Sequence, residues 1–69
     1  MQIRYGSNSI ERGDLDITVG QLLNDRSILG AIGAPTDVYA TSMGETLESD
    51  DIVADYERIT LEKRGSHKA

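Results

Sequence analysis

The side chains able to do chemistry in this 69-residue chain are unevenly spread. Seven acids (Asp37, Glu45, Glu48, Asp50, Asp51, Asp55 and Glu57) follow one another with no base between them, whereas Lys63, Arg64, His67 and Lys68 crowd the end. Such an arc reads either as a solvated loop or as a docking face for a basic partner. A divalent cation held by Glu48, Asp50 and Asp51 is a further reading, but the spacing lacks the D-x-D-x-D-G order and the distal Glu of an EF-hand loop. Acid–base work by paired carboxylates needs burial to push their pKa values apart, and these lie in a polar stretch. His67 is the only histidine and has no positioned nucleophile to serve. The chain has no Cys, which excludes disulfides and thiolate metal sites, and its seven glycines stand singly rather than as a phosphate-cradling loop. Neither an enzyme nor a bound cofactor is expected.

Twelve Asp and Glu against seven Lys and Arg give a net charge of −5, which opposes generic binding to nucleic acid or anionic lipid. The basic tail would have to work against the acidic body, and no aromatic follows it to stack a base. No apolar run approaches the roughly 20 residues of a membrane span, and no signal-peptide pattern opens the chain. The expectation is one small domain, not secreted and not membrane-bound, over residues 1–64, followed by a short tail over 65–69.

Ile3 and Tyr5 alternate with Gln2 and Arg4, the period of a strand with one buried face. Gly6 to Ser9 carries turn chemistry, and a return strand follows from Ile10, interrupted near Gly13 before Leu15 and Ile17. Thr18-Val19-Gly20-Gln21 has the form of a capping box, with Val19, Leu22 and Leu23 on the stripe that faces a sheet. Asn24 and Asp25 weaken propagation, so the helix is either short or continued by a second turn through Ile28, Leu29 and Ile32. Gly33 stops it and Pro35 prevents its extension. Val38 and Ala40 form the buried side of the next strand, and Gly44 supplies a positive φ for the tight turn of Ser42 to Glu45. Leu47, Ile52 and Val53 anchor the acidic loop, and Arg58 to Lys63 closes the fold with Ile59 and Leu61 inward. Two hairpins flanking a helix let the first and last strands meet in parallel at the sheet centre, an α+β arrangement with a mixed sheet of four or five strands packed on one helix.

Tyr39 and Thr41 fall on the polar side of their strand. Tyr39 either lies on the strand surface with its hydroxyl in water or, with Met43 at the turn tip, anchors a protein partner, since Tyr is enriched at interface hot spots. The candidate protein-binding residues are therefore Tyr39, Thr41, Met43, Glu48, Asp50, Asp51, Lys63, Arg64, His67 and Lys68.

Three segments carry a family likeness: Ile17-Thr18-Val19-Gly20-Gln21-Leu22-Leu23, Val38-Tyr39-Ala40 ahead of Gly44, and Asp55-Tyr56-Glu57-Arg58-Ile59-Thr60-Leu61. In order and spacing they resemble the TVG-x-LL, V-x-V-N-G and D-G-D-R-I-x-L segments of ubiquitin-like β-grasp proteins, especially the small sulfur carriers of molybdopterin and thiamine biosynthesis. The likeness implies a β-grasp fold over residues 1–64. Those carriers react through a terminal Gly-Gly, where this sequence has Arg64-Gly65-Ser66-His67-Lys68-Ala69. The chain also resembles small β-grasp proteins of tailed phages. The resulting expectation is a non-catalytic protein-interaction module, an accessory or structural subunit of a larger assembly or a homo-oligomer. It would be cytoplasmic or virion-associated, for example as a capsid-binding or decoration protein. The alternatives are a sulfur carrier or ubiquitin-like modifier activated after processing, and an acidic inhibitor of a nucleic-acid-binding protein.

Overall fold

In the computed structural model, residues 1–13 and 15–64 are described. Strand β1 (Gln2–Tyr5) turns through Gly6 and Ser7 into β2 (Asn8–Glu11). Helices α1 (Val19–Leu23) and α2 (Arg26–Ala31) follow, then β3 (Val38–Ser42), the two-residue β4 (Glu45–Thr46), a 3₁₀ turn (Val53–Asp55) and β5 (Arg58–Lys63). The five strands form one sheet in the order β2-β1-β5-β3-β4. β1 and β5 run parallel, with Ile3 opposite Ile59 and Tyr5 opposite Leu61, and the remaining pairs are antiparallel. Parallel neighbours need a long crossover, which the helices and β3–β4 supply.

The alternation of Ile3, Ile59, Leu61, Val38 and Ala40 turns one sheet face inward. Val19, Leu22, Ile28, Leu29, Ile32 and Val53 cover it, and all eleven side chains are buried. Tyr5, Ile10, Leu15, Ile17, Leu47 and Tyr56 pack around this centre, half-buried.

Two expectations need correction. The return strand begins at Asn8 and ends at Glu11, because only Gly6 and Ser7 are needed for the turn; Leu15 and Ile17 pack on the core from a loop. The single helix is two. The capping box forms as read, with Thr18 Oγ1 accepting from the Gln21 N–H at 3.1 Å and Gln21 Oε1 accepting from the Thr18 N–H at 2.9 Å. The chain then leaves the helix at Asn24 and restarts, because the Asp25 carboxylate accepts from the Ser27 and Ile28 N–H groups at 3.0 and 3.2 Å. An aspartate in mid-pattern thus ends one helix and caps the next. Gly33 does terminate the second, at a φ of +69°. Asn8 reaches across from β2 and donates to the Ile32 carbonyl at 3.1 Å, tying the first hairpin to the end of α2.

No helix among the described residues is long and apolar enough to cross a membrane.

Candidate functional site

Since Ile3, Ile59 and Ala40 point inward, the strand register fixes what the opposite sheet face presents. Ser9, Arg4, Thr60, Thr41 and Thr46 lie in one row across all five strands; Glu11, Gln2 and Arg58 form the next row toward Met43. Among the described residues, both helices pack on the inward face, opposite this side. Together with the hairpin tip, Met1 and residues of and after the 3₁₀ turn, it lines an open groove of about 1090 Å³. Arg4, Arg58, Thr60 and Thr41 line it, with Met43 and Tyr56 among the rim residues and Glu11, Asp55, Glu57 and Glu62 adding carboxylates. Two guanidinium groups thus sit among carboxylates on this face, and Arg4 Nε donates to the Gly6 carbonyl at 3.2 Å.

The hydroxyl groups on β3 stiffen the groove. Thr41 donates to the Thr60 carbonyl at 3.2 Å and Ser42 to the Arg58 carbonyl at 2.9 Å, so the strand is held to β5 by side chains as well as by its ladder. Beyond Ser42 the chain reverses through Met43 and Gly44 at φ values of +54° and +84°. Positive φ at both central residues belongs to the type I′ hairpin turn, which matches the twist of the strands and favours Asn-Gly. Gly44 is the residue expected there. Met43 is the exception, a bulky side chain in left-handed backbone and 99% exposed, with the other exposed large apolar residue, Ile52, only 37% so. Tyr56 is half-buried on the rim. Loss of hydration, and then the carboxylates of Asp51, Asp55 and Glu45, push its phenol above its usual value.

The acidic loop has structural work that its composition hides. The Ser49 and Asp51 carbonyls accept from the Gly20 and Val19 N–H groups at 2.9 and 2.8 Å, satisfying donors that the first turn of α1 cannot pair internally. The Asp51 carboxylate accepts from the Glu48 N–H at 2.7 Å, closing the loop on itself. Thr18 and Ile52 form a bridge, and the Val53 N–H donates to the Ile17 carbonyl at 2.9 Å.

The eight described residues among the ten named from sequence lie in three separate places. Tyr39, opposite Glu62, and Thr41 share the outer face of β3, and Met43 caps its end. Glu48, Asp50 and Asp51 sit in the loop against α1, with Asp51 committed internally. Lys63 pairs with Val38 and the Arg64 N–H donates to the Asp37 carbonyl at 2.9 Å, at the far end of β3 from Met43. At about 3.3 Å per residue, that is roughly 16 Å away along the strand. His67 and Lys68 lie outside the described residues. Among the described residues no three His, Cys, Asp or Glu side chains converge as metal ligands. Sequence reasoning does not reach Arg4, Arg58 and Tyr56 as site residues. Arg4 is legible as the polar phase of the first strand, but only the β1–β5 register brings it alongside Arg58. No protein-family model, no curated protein and no solved structure matches the chain.

Proposed function

We propose that this protein is a non-catalytic binding module of the ubiquitin-like β-grasp type, which docks on another protein as a small accessory subunit of a larger assembly. The β-grasp reading is supported by the central parallel pair of β1 and β5, flanked by the β1–β2 and β3–β4 hairpins with the helices on one side. A virion is the setting that the phage resemblance favours.

The observation that carries the binding role is Met43. A thioether at the tip of a hairpin, fully exposed and in backbone that a long side chain resists, contributes nothing to the packing of its own domain. Strained backbone of this kind is characteristic of contact sites, and Met is an adaptable apolar contact. Beside it lies a groove with donors and acceptors for a polar rim around that contact. The partner would insert an apolar pocket over Met43 and lay a mixed-charge edge along Arg4, Arg58 and Glu57.

The test is size-exclusion chromatography of native extract, tracking the chain by antibody. Wild-type chain should elute far beyond twice its own mass, and Met43→Asp, still folded by circular dichroism, should elute free. Elution of the wild type alone, or of both proteins with the assembly, would overturn the proposal.

A further inference from the structure

The bonding pattern of the first hairpin shows which backbone groups β2 leaves unused by its own ladder. Met1 and Arg12 exchange backbone hydrogen bonds in both directions, at 2.8 and 2.9 Å. In an antiparallel ladder such pairs alternate with pairs that share no bond. Counting along the register, Ile3 and Ile10 bond each other, as do Tyr5 and Asn8, while Gln2 and Glu11, and Arg4 and Ser9, do not. Gln2 agrees, because its N–H points the other way and donates to the Glu57 carbonyl at 2.9 Å. The backbone groups of Ser9 and Glu11 therefore face outward from β2, which is an edge of the sheet. Among the described residues, the Glu11 carbonyl accepts from its neighbour's Arg12 Nη1 at 3.4 Å. The opposite edge, β4, is two residues long. The tie from Asn8 to Ile32 holds β2 in place before any partner arrives.

We infer that β2 pairs antiparallel with β2 of a second copy of this chain, about a two-fold axis through Ile10, joining the two sheets edge to edge. The spacing of the free groups sets this register. Ser9 and Glu11 lie symmetrically about Ile10, so each copy's Ser9 exchanges backbone bonds with the other's Glu11. A symmetric interface must be self-complementary, and this one is. Asn8 falls opposite Arg12, Ser9 opposite Glu11, and no like charges stand directly opposite one another. On the outer face each Glu11 carboxylate lies next to Ser9 of the other copy, whose small side chain leaves room for Arg4 of that copy, the cross-strand neighbour of Ser9. On the inner face the two half-buried Ile10 side chains meet as a close, non-bonded pair and extend both cores. The contact is short, which places it among weak, concentration-dependent associations.

Sedimentation velocity of the full chain over the micromolar to millimolar range tests this. The weight-average mass should climb from the monomer toward twice that value. Ser9→Pro removes an N–H that no intrachain ladder bond uses, so it should keep the circular dichroism and thermal midpoint of the wild type while staying monomeric throughout. Glu11→Arg should weaken association at least tenfold, and Arg4→Glu added to it should restore most of the loss, a readout independent of how well the proline is tolerated. A monomer mass at every concentration, or a dimer unaffected by either Ser9→Pro or Glu11→Arg, would overturn the inference.

Discussion

Replacing Met43 with asparagine should make this protein more stable. The side chain is 99% exposed, so its removal costs no packing, and its φ of +54° lies where a long L-residue loses roughly 1–2 kcal/mol to the clash of Cβ with the next carbonyl. Asparagine tolerates this backbone and is the preferred partner of Gly44 in a type I′ turn. Recovering about half of the strain gives a gain of about 0.5–1 kcal/mol, or a rise of about 2–8 °C in the thermal midpoint for a domain of this size. Urea and thermal unfolding monitored by circular dichroism would measure it, with the m-value unchanged. Met43→Ala is the control: it removes the thioether but keeps the strained backbone, and should fall within about 0.5 kcal/mol of wild type. If asparagine destabilised the protein, or alanine cost as much as a core truncation, Met43 would have packing partners in its own chain and the reasoning would fail. On the proposed binding role, a stabilising substitution left unused at Met43 is the expected trade of stability for function.

Asp25→Ala should cost about 1 kcal/mol in urea unfolding, since two N–H groups at the start of α2 lose their acceptor. Gly30→Ala should add about 0.5–1 kcal/mol, because its Cβ would enter open space on a helix. Gly20→Ala, the same change in the neighbouring helix, should instead destabilise, as its Cβ would stand 3.2 Å from the Ser49 carbonyl oxygen that caps α1. Equal effects at the two glycines in the same unfolding assay would refute the loop's capping role. In alkaline absorbance titration, Tyr56 should deprotonate above the ordinary phenol value of about 10, and Asp55→Asn should lower its midpoint. The unfolded chain releases that proton first, so stability should fall from about pH 10 up to the folded midpoint, and Tyr56→Phe should remove that part of the loss.

Elements defined by local chemistry are readable from the sequence. The alternation of Ile3 with Arg4 and of Ile59 with Thr60, the Thr18–Gln21 box and the Gly33 stop each depend on residues a few positions apart, and each forms as read. Asp25 reads only as a weak helix former, because its second property, capping the helix that starts after it, competes with its first at the same position. The positive φ of Met43 has no signature in its residue type; it comes from the hairpin's twist, which Gly44 alone does not set. The loop of residues 48–51 looks merely solvated because its function lies in carbonyl groups, to which composition is blind. The groove is a product of register: Arg4 and Arg58 are more than fifty positions apart, and the parallel pairing of β1 and β5 makes them neighbours on one face. Charge alone links the basic residues Lys63 and Arg64 to the binding set, and the direction of β3 and β5 places them at the opposite end from Met43.

The proposed binding role is tested most directly by site-specific photo-cross-linking in the native cell, with a photoreactive residue replacing Met43 in one version of the chain and Arg26, exposed on α2, in another. A single adduct of discrete mass from position 43, absent from position 26, is the predicted result. No discrete adduct from position 43, or the same adducts from both positions, would contradict it.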